Sequence, residues 1–189
     1  MKPKARFASF ILLIFLFESF VWSQERRQGG RPPVRKHTIT ERGDLNLIPA
    51  DDKLPYKQEA KFKKSKTERL VESNAIPEHK VGTFPSGRNP NKITEQEFKF
   101  SLPLNPKPAK EPIPLHNDSG RGPPNTPFGI ALNGVLFDPG TAEFYMGDRR
   151  ADWNYEALSG SVLLGLDMNH GHVQPNGSYH YHGLPTGFL

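Results

Sequence analysis

The sequence predicts a mainly β domain, an irregular turn-rich sandwich or barrel-like fold that follows a disordered basic N-terminal arm. Residues 98–102 alternate apolar and polar side chains, a period of two that is typical of a half-buried strand. Asn133 and Gly134 lie between short apolar runs at 128–132 and 135–137, which predicts a tight β-hairpin. No stretch of the chain shows helical periodicity over a convincing length.

The remaining segments are short and punctuated by turn formers. Apolar runs predict two more strands, at 161–166 and within 177–182, and a helical turn is predicted over 153–158. Residues 103–114 are rich in proline and cannot pair inside a sheet, because proline lacks the amide hydrogen. Residues 117–127 are predicted to form a loop.

The composition limits both the core and the chemistry. Hydrophobic residues make up only 35% of the 189, with 19 Pro and 17 Gly, so part of the chain is predicted to be unpacked. The chain has no cysteine. This excludes disulfides, thiolate nucleophiles, thiolate zinc sites and the electron-transfer copper sites that need a cysteine.

The first 23 residues are predicted to be a secretory signal peptide. Three basic residues precede an apolar run at 7–17, and Val21 and Ser23 stand at −3 and −1 before Gln24. The alternative is an uncleaved membrane anchor, but the run is shorter than the roughly 20 residues that a bilayer needs, and Glu18 interrupts it. We therefore expect a secreted, periplasmic or cell-surface protein with no stable membrane insertion after cleavage.

Residues 24–69 are predicted to be a disordered basic linker. They hold 13 Lys and Arg against 7 Asp and Glu and few apolar residues, although 57–71 suits a transient helix. A basic arm for acidic cell-surface polymers is the alternative. The domain predicted at 70–189 holds 9 basic and 12 acidic residues, so no nucleic-acid partner is expected, and other partners stay unknown.

Four of the seven histidines lie within thirteen residues, at 170, 172, 180 and 182. A turn at 175–177 separates the two His-x-His pairs. Alternate side chains of a strand share a face, so His180 and His182 are expected together, opposite the tyrosine that precedes each. Three imidazoles, from His172, His180 and His182, can bind a divalent transition metal such as zinc or copper. Asp167 or His170 can add a fourth ligand or orient one.

Other interpretations of these histidines remain open. The imidazoles can hydrogen-bond backbone carbonyls while the tyrosine rings pack the core. Metal-free acid–base chemistry also suits the near-neutral pKa of histidine.

Residues 179–183 resemble the motif that gives the YHYH domain family its name. The likeness extends over about 72–189, and its further segments are 73–77, 84–85, 89–91, 133–135, 138–143, 153–157, 165–167, 172–175 and 183–187. The family consists mainly of exported bacterial proteins of uncharacterised function, so the resemblance implies kinship and not an activity. Members continue beyond the motif, which implies that this chain is a C-terminally truncated fragment whose domain is incomplete.

The resemblance marks seven positions: His79, His172, His180 and His182, with Asp138, Glu143 and Asp167. The leading hypothesis is an exported domain that binds a metal through His172, His180 and His182, assisted by Asp167 or His79. A non-catalytic binding or structural module, in which histidines and tyrosines are structural, is the alternative. A third hypothesis is a metal-dependent oxidoreductase or hydrolase. The sequence does not identify a catalytic residue.

Overall fold

The computed structural model of the protein describes residues 44–111, 127–149 and 154–189, which form two small β-sheets. The strands are β1 (Ala60–Lys64), β2 (Glu68–Ser73), β3 (Phe98–Pro103), β4 (Gly129–Ile130), β5 (Leu136–Phe137), β6 (Gly171–Val173) and β7 (Tyr179–Tyr181). The only helical element among these residues is a short 3-10 turn at Tyr145–Gly147. The predicted mainly β class is therefore confirmed, whereas the predicted signal peptide lies outside the described residues.

The first sheet is an antiparallel meander in the order β1-β2-β3. The predicted alternation at 98–102 is confirmed as β3, in which Phe100 lies opposite Val71 of β2. Val71 is almost fully buried. Of the described residues of the proline-rich segment, 103–111, only Pro103 takes part in the sheet, as the last residue of β3.

Part of the segment that the sequence predicted to be a linker forms strands. Strand β1 and the start of β2 lie inside the predicted linker, and a hairpin replaces the predicted transient helix over 57–71. Leu54 and Tyr56 pack against the core, and Ile48 pairs with Asp167. Single apolar residues spaced among charges make these long-range contacts, and the composition of a window does not reveal them. Residues 24–43 lie outside the described part.

The second sheet has the order β4-β5-β7-β6 and contains the predicted hairpin. β4 and β5 are antiparallel, and the turn between them holds Gly134 at a φ of 89°, a value that favours glycine. β5 pairs in parallel with β7, and β7 pairs antiparallel with β6. The strand predicted within 177–182 is confirmed as β7.

Two local predictions around residue 160 are wrong. Residues 161–166 form no strand, because Gly165 adopts a φ of 66° and interrupts the extended backbone. The described part of 153–158 forms no helical turn, since Asn154 instead bridges Phe144. The carbonyls of Leu164 and Leu166 accept hydrogen bonds from the His172 side chain and the Ile48 backbone, and not from a neighbouring strand of a sheet.

The core packs against one face of β7 and is built from the second sheet and from the segment between β2 and β3. Its buried members are Ile76, Val81, Ile93, Ala131, Val135, Val173, Tyr179 and Tyr181. The two sheets are joined directly where the Ser73 hydroxyl donates to the Gly134 carbonyl at 2.8 Å. Within the described ranges, no helix has the length and apolar character needed to cross a membrane.

Candidate metal centre

Strand β7 sends its tyrosines and histidines to opposite faces, as the sequence predicted. Tyr179 and Tyr181 are fully buried in the core, and His180 and His182 are buried on the other face with 3% and 8% exposure. One face of the strand therefore packs into the core through its tyrosines, and the other face carries two imidazoles.

Strand β6 adds a third imidazole to the histidine face. His172 is the register partner of His180, and directly opposed residues of an antiparallel pair share a face. The Nδ1 atom of His172 donates to the Leu164 carbonyl at 2.8 Å, which fixes the ring. Because a carbonyl can only accept, this contact leaves a neutral His172 with a bare lone pair on Nε2.

The three Nε2 atoms point towards one another. The Nε2 atom of His182 lies 3.0 Å from that of His180 and 3.1 Å from that of His172. Nitrogen ligands at about 2.0–2.1 Å from a tetrahedral zinc ion lie about 3.3 Å apart, so the observed separations suit a shared metal. All three ligand atoms lie within 4.8 Å of one another.

Hydrogen bonding alone does not satisfy this arrangement. A ring nitrogen carries either one proton or one lone pair, so Nε2 of His182 makes one good hydrogen bond and not two. The second short contact then lacks a proper partner. The Nδ1 atoms of His180 and His182 are also buried without a well-formed hydrogen bond. A metal ion bound by all three lone pairs on Nε2 would resolve the conflict within the cluster.

Burial lowers the pKa of all three imidazoles, because an apolar surrounding disfavours the charged ring. The pKa of His182 falls to about 3, and that of His180 falls well below its ordinary 6.5; repulsion from neighbouring imidazoles adds to both. The pKa of His172 is lowered less, because its hydrogen bond to Leu164 and the charge of Glu143 oppose burial. Neutral imidazole is the form that binds metals.

The cluster lies in the wall of a cavity of about 620 Å³. The same cavity is lined by two carboxylates, those of Asp138 and Glu143. A volume of this order is typical of a small-molecule site. The cluster is therefore accessible to a ligand of modest size.

Asp138 directly follows β5 and lies on the same face of the sheet as His180 and His182. Its backbone N–H donates to the Tyr181 carbonyl at 2.9 Å, which continues the parallel register and places Asp138 beside His182. The side chain is 7% exposed and accepts two long hydrogen bonds, from Gly140 N at 3.3 Å and Gln174 Nε2 at 3.4 Å. Burial raises its pKa against these bonds. The family resemblance marked Asp138 but gave it no place beside the histidines, since strand order is not visible in the sequence.

Asp167 is not brought into the cluster. Its carboxylate accepts from Tyr179 Oη at 2.8 Å and from backbone N–H groups of Gly82, Asn169 and Gly171 at 2.9, 2.9 and 3.2 Å. The four donors occupy the carboxylate on the tyrosine side of β7. Asp167 therefore holds the fold around β7 and does not meet the three imidazoles.

His79 also lies on the tyrosine side. Its Nε2 contacts the Tyr181 hydroxyl at 2.6 Å, and its Nδ1 lies 2.7 Å from the Lys80 carbonyl. Asn133 donates to the same hydroxyl at 2.9 Å. Both residues expected to assist the three histidines, His79 and Asp167, are therefore bonded to the tyrosines on the opposite face of β7.

The backbone conformation of His170 directs its side chain away from the other three histidines. Its φ is 55°, and its Nδ1 lies 2.8 Å from the Leu184 carbonyl. Its own carbonyl accepts the N–H of His182 at 2.8 Å. The two His-x-His pairs therefore contribute three and not four imidazoles to the cluster.

Residues 99–189 match the family described as YHYH protein. The matched range contains the three clustered histidines and Asp138, whereas His79 and the rest of the likeness expected over 72–98 lie outside it. A comparison with curated proteins finds no match, and neither does a comparison with solved structures.

Proposed function

We propose that the part of the chain that matches the YHYH protein family, residues 99–189, binds a divalent transition metal ion through Nε2 of His172, His180 and His182. The observation that carries this proposal is the convergence of three Nε2 atoms, two of them from buried histidines, whose short contacts hydrogen bonds cannot all satisfy. Zinc and copper(II) both favour imidazole ligands, so either ion suits the donor set. The fixed ring of His172 and the lowered pKa values favour binding at neutral pH.

We also propose that the protein carries this metal outside the cytoplasm, as a secreted, periplasmic or cell-surface protein. This part rests on the basic start, the apolar run at 7–17 and the cleavage pattern before Gln24. Detection of a mature chain that begins at Gln24 in the exported fraction would test it.

The experiment that tests metal binding is elemental analysis of the full chain after chelator treatment and dialysis against Zn²⁺ or Cu²⁺. We expect about one ion per chain, and loss of that ion in the double variant His180→Ala/His182→Ala. His170→Gln is the matched control, because this histidine belongs to the same sequence cluster but not to the site, and it should keep the ion.

The competing function is a non-catalytic module in which the same side chains are structural. It is favoured by the dense network on the tyrosine face and predicts that His180→Ala lowers stability while the wild type holds no ion. An unmetallated wild type, or equal metal in wild type and double variant, would contradict our proposal.

A further inference from the structure

The metal centre and the cavity carboxylates together indicate a reaction. Among the described residues, the cluster with metal-binding spacing contains three histidines and no fourth His, Asp or Glu. A zinc ion held by three protein ligands keeps a fourth position for water or substrate. The three histidines line the cavity, so that position is accessible to a molecule within it.

Asp138 is placed to act on such a water molecule without binding the metal itself. It lies one strand away from His182 on the same face and lines the same cavity, but it is outside the cluster of ligand atoms. An ionised carboxylate has about four acceptor sites, and the two hydrogen bonds observed are long. The side chain thus keeps acceptor capacity in the cavity that the three histidines line.

We propose that Asp138 accepts the proton of a water molecule bound at the open position, so that the centre hydrolyses small uncharged esters. The inference rests on the proposed metal centre. The water O–H bond breaks as the proton passes to Asp138, and the oxygen bonds to the ester carbonyl carbon. The C–O bond to the leaving group then breaks, and Asp138 returns the proton to the departing oxygen. The products are a carboxylic acid and an alcohol.

The cavity wall restricts the substrate class. Its apolar members include Leu163, Leu164 and Val173, which suit a small hydrocarbon group. Arg88, Asp138 and Glu143 also line the cavity, so charges of both signs are present. A short uncharged ester uses the apolar part of the wall and needs no charged partner.

The test uses the zinc-loaded full chain with 4-nitrophenyl acetate as the probe, and rates are divided by the measured metal content. Asp138→Asn should keep the metal and lose about 100-fold of the hydrolysis rate, a typical effect of removing a general base. Glu97→Gln, an exposed carboxylate before β3, is the control and should keep the wild-type rate.

Glu143→Gln separates the two carboxylates of the cavity. A large loss in this variant with an unchanged rate in Asp138→Asn would overturn the role of Asp138. If Asp138→Asn does not fold, azide is titrated into the cobalt-substituted wild type. A change in the visible spectrum supports the open position, and no change at saturating azide overturns the inference.

The two proposals fail in different ways. A wild-type chain without metal removes both the centre and the reaction built on it. A chain with a full complement of zinc that does not hydrolyse the probe above the rate of free zinc overturns the reaction alone, and the metal centre stands.

Discussion

Single residues of the Tyr-His-Tyr-His run have two distinct roles, because neighbouring side chains of β7 face opposite ways. Tyr179 and Tyr181 donate or accept hydrogen bonds in the core, where Asp167 and His79 meet them. The histidines are left to converge on the cavity side. The hydrogen bonds behind the strand thus fix the backbone that carries the proposed metal ligands His180 and His182.

Replacing the Tyr179 hydroxyl should destabilise the fold but leave the metal centre intact. Tyr179→Phe leaves the buried Asp167 carboxylate without one of its four donors, which typically costs about 1–3 kcal/mol. Chemical denaturation of the metal-free protein measures the cost, and elemental analysis should still give a full site. Tyr155→Phe is the control, because the contact that its hydroxyl makes within the described part of the chain is a long one, 3.4 Å from Met146 N. Equal stability of the two variants would contradict the role given to Asp167.

Acidification should destabilise the metal-free protein. The unfolded chain takes up protons on histidine near pH 6.5, whereas burial keeps the pKa of His182 at about 3 in the folded state. Stability is therefore fully present above pH 6.5 and falls as the pH drops from about 6.5 towards 3. Each fully shifted histidine contributes a slope of up to about 1.4 kcal/mol per pH unit.

Denaturation midpoints at pH 7.5 and pH 5 measure this effect. His180→Ala/His182→Ala should flatten the pH dependence, while His170→Gln should keep it. If the double variant keeps the wild-type pH dependence of stability, groups other than His180 and His182 are responsible for it.

At the level of elements, the cluster depends on the close approach of β6 and β7. A Cβ atom on Gly171 would lie 2.5 Å from the Tyr179 ring and 2.9 Å from the His180 carbonyl. No side chain fits there, so glycine lets β6 come near enough for His172 to meet its partners.

Gly171→Ala should therefore affect both stability and metal binding. The added methyl group forces β6 away from β7, and overpacking of this kind typically costs about 1–3 kcal/mol. His172 moves with β6, so the affinity for zinc should fall as well, as a competition titration with a chromophoric chelator would show. Gly87→Ala is the matched control, because a Cβ there meets nothing within 4 Å. Unchanged affinity in Gly171→Ala would contradict the dependence on β6.

For the molecule as a whole, the segment before β1 holds residues that position the histidine cluster. Ile48 N donates to the Leu166 carbonyl at 2.8 Å, and Met168 N donates to the Ile48 carbonyl at 2.9 Å. These bonds hold the chain on either side of Asp167, close to the Leu164 carbonyl that orients His172. The basic segment is therefore part of the domain from residue 44 onwards.

Removal of this segment should cost more than the loss of a flexible linker would. A chain that begins at residue 70 lacks β1 and the core contacts of Leu54 and Tyr56, and should lose more than about 3 kcal/mol relative to one that begins at residue 44. Thermal and chemical denaturation of the two chains measure the difference. Equal stability would show that residues 44–69 contribute no net packing energy.

The sequence alone determined the mainly β class, the hairpin at Asn133 and Gly134, and the common face of His180 and His182. Each of these follows from interactions within a few residues, namely turn chemistry and the alternation of side chains along a strand. His172 was also identified, since its spacing matches that of the other pair.

The tertiary structure alone decided which other groups meet the imidazoles. The parallel pairing of β5 with β7 brings Asp138 beside His182, while the backbone of His170 turns that residue away. Asp167 and His79 meet the tyrosines instead, on the opposite face of β7. Strand order and packing join residues tens of positions apart, and these long-range contacts leave no periodic signal in the local sequence.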